Sequence, residues 1–143
     1  MSSFALDASV ALSWCFEDEV SAYAELILDL LAKGAEAQVP AIWPLEVCNA
    51  LLIAERRKRI RTAALTYWIG KIVSLRIAIS APLPLRETAE SIAIAREYGL
   101  TMYDASYLEL ARRSDLPLAT IDRRLAAAAR RFGIMTTFGS REH

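Results

Sequence analysis

Phe4-Ala5-Leu6-Asp7-Ala8-Ser9 is the stretch that decides the fold. Its apolar residues follow one another without alternation, which is typical of a parallel strand buried on both faces. The run ends on an acid, Asp7, and small residues come after it. We therefore predict that a buried strand delivers the Asp7 carboxylate to the carboxyl edge of a sheet.

The rest of the chain alternates between short apolar segments of strand length and amphipathic segments of helix length. Further strands are predicted at about residues 36–39, 76–81, 118–121 and 134–136. Connections of helical length favour parallel pairing, so we predict an α/β fold, a three-layer α/β/α sandwich with a five-stranded parallel sheet. Residues 1–138 are assigned to one domain, and residues 139–143 to a C-terminal tail.

The composition argues against several classes of protein. Hydrophobic residues make up 55% of the chain, but no apolar run approaches the ~20 residues of a membrane span. We therefore expect no membrane contact and attribute the excess to a thick core and a subunit interface. The formal net charge of +0 argues against a protein that coats nucleic acid by bulk charge. No export signal and no disulfide framework is recognisable, so a cytoplasmic location is expected.

Four acids occur where packing alone does not account for an acid: Asp7, Glu46, Asp104 and Asp122. Asp7 and Asp122 directly follow predicted strands, whereas Glu46 and Asp104 lie near the starts of predicted helices. In an open parallel sheet, ligands bind beyond the carboxyl ends of the strands. All four carboxylates could therefore project into one cleft.

Each of these acids also has a purely structural explanation. Asp7 and Asp122 could cap the helices that follow them, and Asp104 could favour the positive end of its helix. Glu46 shares a face of an apolar helix with Asn49. Burying the charge of Glu46 would cost several kcal/mol unless an arginine or a metal compensates it.

If the four acids meet, their repulsion determines what binds them. Close carboxylates cannot all stay ionised near neutral pH unless cations hold them together. Oxygen ligands select a hard divalent ion, Mg²⁺, with Mn²⁺ as a possible substitute. The single histidine is His143, so a serine or cysteine triad lacks an internal base. The five glycines form neither a GxGxxG motif nor a P-loop.

Four motifs follow one another over essentially the whole chain: Asp7-Ala8-Ser9, Pro44-Leu45-Glu46-Val47-Cys48-Asn49-Ala50-Leu51, Tyr103-Asp104-Ala105-Ser106-Tyr107-Leu108 and Leu118-Ala119-Thr120-Ile121-Asp122-Arg123-Arg124-Leu125. Each motif is short, but their order and spacing together are specific. In these features the chain resembles the PIN-domain ribonucleases, specifically the VapC-type toxins of type II toxin–antitoxin systems.

This resemblance implies a Mg²⁺-dependent endoribonuclease with Asp7, Glu46, Asp104 and Asp122 as its catalytic and metal-binding residues. Asp7 and Asp104 would be the main ligands, and a metal-activated water would attack the phosphodiester in line. The resemblance further implies a homodimer and a small cognate antitoxin protein. The residues that would orient the carboxylates are Ser9, Asn49 and Thr120. Two residues beside the proposed site could steer RNA phosphates toward it: Arg123 and Arg124.

Two other functions remain open at this point. Asp7-Ala8-Ser9-Val10 loosely matches the nucleophile loop of haloacid-dehalogenase-type phosphatases, with Asp7 as the nucleophile, although Ser9 stands where a second acid is needed. The chain could also be a non-catalytic binding module. In that case the acids would serve as helix caps and as ion-pair partners of the arginines.

Overall fold

The computed structural model describes residues 3–137. One parallel sheet has the spatial order β3-β2-β1-β4. Its strands are β1 (Ser3–Leu6), β2 (Glu36–Val39), β3 (Ile77–Ile79) and β4 (Leu118–Ala119). Phe4, Ala5 and Leu6 are all buried, and β1 pairs with β2 on one side and with β4 on the other. The unbroken apolar run of β1 follows from this central position.

The sheet differs from the prediction at one edge. Instead of a fifth strand over residues 134–136, Thr136 makes a single parallel bridge to Leu118. The Leu118 backbone N–H donates to the Met135 carbonyl at 2.8 Å, and the Leu118 carbonyl accepts from the Thr137 backbone N–H at 2.9 Å. Because β4 is only two residues long, it gives a further strand little backbone to pair with. The predicted tail, residues 139–143, lies outside the described residues.

Helices connect the strands and cover the sheet. In chain order they are α1 (Ala8–Cys15), α2 (Ala22–Ala32), α3 (Trp43–Arg56), α4 (Thr62–Val73), α5 (Ala89–Tyr98), α6 (Met102–Arg113) and α7 (Arg123–Phe132). Helix α1 packs against α2, α3 and α4, whereas α6 packs against β1, β4, α5 and α7. The predicted α/β sandwich is confirmed. Between residues 3 and 137, no helix has both the length and the apolar character needed to cross a membrane.

The short connection between α5 and α6 determines where α6 begins. Gly99 ends α5 with φ +66°, a left-handed conformation that glycine adopts without the steric cost of a Cβ. Thr101 then caps α6, because its hydroxyl accepts a hydrogen bond from the Asp104 backbone N–H at 3.1 Å. Asp104 is thereby placed in the first turn of α6.

Candidate active site

Asp7 is held in a fixed orientation at the end of β1. Its backbone N–H donates to the Ala119 carbonyl at 2.9 Å, which continues the pairing with β4. The Asp7 side chain is only 6% exposed, and its Oδ2 accepts from Ser9 Oγ at 2.6 Å and from Thr120 Oγ1 at 2.7 Å. Although Asp7 occupies the N-cap position of α1, its side chain makes no capping hydrogen bond. Asp7 Oδ1 has no hydrogen-bond partner within residues 3–137.

The environment of Asp7 disfavours its charged form. The pKa of Asp7 is raised to about 6, mainly by burial. The hydrogen bonds from Ser9 and Thr120 lower the pKa in part, while the negative charges of Asp104 and Asp122 raise it further. These electrostatic effects link carboxylates that are about a hundred residues apart in the sequence.

Asp104 and Asp122 lie at the N-termini of two different helices. Burial raises the pKa of the half-buried Asp104, and the charge of Asp122 raises it further; the Thr101 hydrogen bond and the charge of Arg124 lower it. Asp122 does cap α7, since its Oδ1 accepts from the backbone N–H groups of Arg124 and Leu125 at 2.9 and 3.2 Å. The predicted helix-capping role of Asp122 is therefore confirmed. The capping hydrogen bonds use only one of its two carboxylate oxygens.

A hydroxyl group stabilises the negative charge of the half-buried Glu46 carboxylate. It lies in the first turn of α3, and its Oε1 accepts from the Tyr107 hydroxyl at 2.6 Å. Burial raises the pKa of Glu46, the Tyr107 hydrogen bond lowers it, and the charge of Asp104 raises it again. Neither an arginine nor a metal is needed to explain how this half-buried carboxylate is accommodated.

Tyr107 contacts one of the four acids, although the sequence motif that contains it predicts no role for it. Its side chain is completely buried, and its hydroxyl also accepts from the Ala8 backbone N–H at 3.3 Å. Tyr107 thus connects Glu46 on α3 to the start of α1, directly after Asp7. Burial, together with the charge of Asp7, raises the pKa of the Tyr107 hydroxyl. The three-residue spacing from Asp104, which puts both on one side of α6, was the available signal.

The residues predicted to orient the carboxylates are placed differently from one another. Ser9 and Thr120 both contact Asp7, and Ser9 Oγ also accepts from the Ile121 backbone N–H at 3.2 Å. Thr120 Oγ1 accepts from the Asp122 backbone N–H at 3.0 Å. Asn49 is exposed and makes no hydrogen bond to these acids in the described part of the chain.

The two arginines at the start of α7 are exposed beside the acids. Arg124 donates from Nη2 to the Gly99 carbonyl at 2.9 Å, and its charge reaches Asp104. None of the four acids forms an ion pair with a lysine or arginine over residues 3–137. The two arginine side chains therefore lie near Asp7, Glu46, Asp104 and Asp122, which we call the acidic cluster, without neutralising it by direct contact.

The donor atoms of this cluster suit a hard divalent cation. All are carboxylate oxygens, and Asp7 Oδ1 has no hydrogen-bond partner within residues 3–137. A cation would offset both the burial that chiefly raises the pKa values of Asp7 and Asp104 and the repulsion that adds to it. Among the described residues, no three acidic, histidine or cysteine side chains lie close enough together to form a ready-made cage. The residues therefore fit an ion held by few protein ligands, as is common for Mg²⁺, which keeps several waters.

Comparison with known proteins identifies the family to which the fold belongs. The family model of the PIN domain matches residues 4–131. Over 82 residues the chain is 40% identical to Exonuclease VapC9 of Pyrobaculum aerophilum, an alignment that covers 57% of this chain and 59% of the length of that relative. The crystal structure of PAE2754 from the same organism superposes with a TM-score of 0.68 and 27% identity, covering 89% of this chain and 84% of the other. The resemblance to VapC-type PIN domains is confirmed. The chain belongs to the PIN-domain family.

Proposed function

We propose that this PIN-domain chain is a divalent-metal-dependent endoribonuclease and the toxin of a toxin–antitoxin pair. The observation that carries the proposal is the acidic cluster, in which burial and mutual repulsion raise the pKa of Asp7, Glu46 and Asp104. The relative named Exonuclease VapC9 supports nuclease chemistry for this fold.

In this proposal Asp7 and Asp104 are the principal metal ligands, and Glu46 and Asp122 complete the site directly or through water. When bound there, Mg²⁺ or Mn²⁺ supplies positive charge that stabilises phosphoryl oxygens and lowers the pKa of nearby water. The chain itself contributes a rigid arrangement of oxygen atoms, which costs no reorganisation during the reaction.

Two hydrogen-bond systems provide that rigidity. Ser9 and Thr120 fix Oδ2 of Asp7, so that Oδ1 would be held in one orientation for a bound cation. Tyr107 fixes Glu46 in the same way. Replacing a group that orients a metal ligand in this manner commonly lowers metal affinity or activity by roughly 10- to 100-fold. We assign Arg123 and Arg124, which are exposed next to the acids, to the attraction of RNA phosphates.

The two alternative functions have less support. Ser9, in the position where a haloacid-dehalogenase-type phosphatase needs a second acid, is a hydrogen-bond donor to Asp7. A non-catalytic module would use these acids as caps and ion-pair partners. Only Asp122 caps with its side chain, and no ion pair of the four acids occurs between residues 3 and 137.

Cleavage assays with linear and circularised RNA test the proposal. The purified chain is expected to cut both RNAs in Mg²⁺ and neither in EDTA. Asp104→Asn should lower the rate by more than about 100-fold, the upper range for residues that only support a ligand. Asp29→Asn is the matched control, because Asp29 on α2 is exposed and pairs with Lys33, the residue directly after this helix.

Each outcome has a distinct meaning. Activity that persists in both EDTA and Asp104→Asn would contradict the metal-dependent mechanism. Cleavage restricted to the linear RNA would identify an exonuclease, as the name of the relative from Pyrobaculum aerophilum states for that protein.

A protein partner is also proposed, in the form of a homodimer and a small antitoxin. Apolar surface around α4 supports such contacts. A cavity of about 300 Å³ between α3, α4 and β3 is lined by Trp43, Ile72 and Val73 among others, and Val73 is 78% exposed. We assign this surface to the homodimer. Val73→Lys should then give a monomer in light scattering, and a persistent dimer would contradict the assignment.

A further inference from the structure

A second cavity opens beside the acidic cluster, and nothing in the proposed chemistry uses it. It has a volume of about 190 Å³, and Pro40 and Ser80 are among its lining residues. Pro40 directly follows β2, and Ser80 directly follows β3, where its backbone N–H donates to the Val39 carbonyl at 2.9 Å. We call this cavity the edge pocket.

The sheet order places the edge pocket next to the proposed active site. Asp7 and Asp122 come after β1 and β4, the other two strands of the order β3-β2-β1-β4. All four strands are parallel, so their carboxyl ends share one edge. Neighbouring strands lie about 4.8 Å apart, which separates the edge pocket from Asp7 by roughly one or two strand spacings and from Asp122 by roughly two or three.

Two helices contribute both to the edge pocket and to the acidic cluster. Tyr103 lines the pocket and directly precedes Asp104 in α6. Ile42 lines the pocket and caps α3, and its carbonyl accepts from the Glu46 backbone N–H at 3.0 Å. A ligand that bridges the two places would therefore contact the starts of the same two helices.

The mouth of the edge pocket presents large apolar side chains to solvent. Tyr103 is 57% exposed and Met102 is 40% exposed, although both stand at the start of an otherwise well-buried helix. An exposed aromatic ring is the usual platform on which proteins stack the unpaired bases of single-stranded RNA. The volume is below the roughly 300–1,000 Å³ of sites for drug-sized ligands, which suits a single base.

The pocket also contains a polar group without a partner. Ser91 is only 4% exposed, lines the pocket, and its hydroxyl makes no hydrogen bond within residues 3–137. Because a hydroxyl both donates and accepts hydrogen bonds, Ser91 can bond to either kind of polar group on the edge of a base. At the far side, Arg113 donates from Nε to Glu109 Oε2 at 2.9 Å, which provides further polar atoms for the edge of a base.

We propose that the edge pocket binds one unstacked RNA base adjacent to the scissile phosphate, with Tyr103 as the stacking surface and Ser91 as a hydrogen-bonding partner of the base edge. The pocket is thereby a determinant of which RNA sequence is cut. This assignment rests on the proposed ribonuclease function, because it places the base next to the phosphate that the acidic cluster would process.

Binding of short RNA in the absence of cleavage tests the assignment. The probes are four labelled single-stranded homo-oligoribonucleotides of A, C, G and U, measured by fluorescence anisotropy in EDTA at low ionic strength. Tyr103→Ala should weaken binding by about tenfold, whereas Tyr103→Phe keeps a stacking ring and should bind as the wild type does. Tyr67→Ala is the matched control, since Tyr67 is a tyrosine of similar exposure, 60%, outside the pocket.

Two further measurements separate a base contact from a general loss of affinity. Ser91→Ala should change the ranking of the four homo-oligomers more than their average affinity, because it removes a contact to the base edge. In an RNA of mixed sequence, replacing the stacked base by an abasic site should remove the difference between wild type and Tyr103→Ala. Thermal melting of each variant verifies that it is folded.

The failure of this assignment and the failure of the ribonuclease proposal are distinguishable. If Tyr103→Ala binds every RNA as the wild type does, the edge pocket is not a base site, and cleavage by the wild type in Mg²⁺ still supports the nuclease. The same conclusion about the pocket follows if Tyr103→Ala changes only the oligomeric state, which would place a second copy of the chain there. If Tyr103→Ala loses RNA binding but the wild type never cleaves RNA, the base site stands and the nuclease does not.

Discussion

Asp7 is the one of the four acids whose pKa is raised most by the fold. Its pKa is raised from 3.8 to about 6, chiefly by burial. The folded chain therefore holds this proton more tightly than the unfolded chain does. The stabilising contribution is complete below about pH 4 and is lost as the pH rises through about 6. A shift of this size corresponds to roughly 3 kcal/mol.

Asp7→Asn is therefore expected to stabilise the metal-free protein near neutral pH. Asparagine removes the buried charge and can still accept the hydrogen bonds of Ser9 and Thr120, so we expect a gain of about 1–3 kcal/mol above pH 7 and little change near pH 4. Urea denaturation in EDTA across this range gives both curves. Parallel curves for the variant and the wild type would show that Asp7 does not titrate in this window.

Tyr107 supports the site through one oxygen atom. Tyr107→Phe would leave Glu46 Oε1 and the Ala8 backbone N–H without their partner, and we expect a loss of about 1–3 kcal/mol in the free energy of unfolding. Tyr67→Phe, at an exposed position, should have an effect near zero. Equal effects of the two substitutions in urea denaturation would mean that the Tyr107 hydroxyl contributes nothing.

At the scale of single elements, apolar periodicity predicted the existence of the helices better than their ends. The sequence pattern of residues 85–98 predicts one helix, but Leu85–Thr88 forms a 3₁₀ turn after Pro84, and α5 begins at Ala89. Thr62 is of a residue type favoured at N-caps, which predicts that it caps α4. Its hydroxyl instead donates to Glu55 on the preceding helix at 2.8 Å, a competing partner that local capping rules do not include.

The cap of α6 links the stability of an element to its function. Thr101→Ala should cost about 1 kcal/mol, because the Asp104 backbone N–H loses its acceptor. Ser21 caps α2 in the same way, through the Ala24 backbone N–H at 3.0 Å, so Ser21→Ala serves as the matched control. Both should show similar losses in urea denaturation, and only Thr101→Ala should also slow RNA cleavage. Equal RNA cleavage rates for Thr101→Ala and Ser21→Ala would show that the cap of α6 does not affect the site.

At the scale of the whole molecule, the strands that Asp7 and Asp122 follow could be predicted, but not the distances among the four acids. Local pattern places Asp7 and Asp122 after strands, whereas their proximity requires β1 and β4 to be neighbours. That pairing joins segments more than a hundred residues apart, and no local signal encodes it. The contacts of Thr120 and Tyr107 depend on the same long-range packing.

Cation binding should stabilise the whole molecule if the four acids act together. We expect saturating Mg²⁺ or Mn²⁺ to raise the melting temperature, since a ligand that binds only the folded state stabilises it; about 2.7 kcal/mol is gained at 100 times Kd. Asp7→Asn and Asp104→Asn should each remove this increase, whereas Asp29→Asn should keep it. An unchanged wild-type melting temperature at saturating metal would contradict the proposed site.

The pairing of β1 with β4 also has a consequence for synthesis of the protein on the ribosome. Asp7 emerges before the other residues of the site, whereas Thr120, its hydrogen-bond partner 113 residues later, and Asp122 emerge only after all the segments between them. A nascent chain that ends before Leu118 lacks one edge of the sheet and one of the four acids. If the chain is a ribonuclease, the order of its strands therefore keeps it inactive until residues 118–122 have been made, which protects the message and the ribosome that produce it.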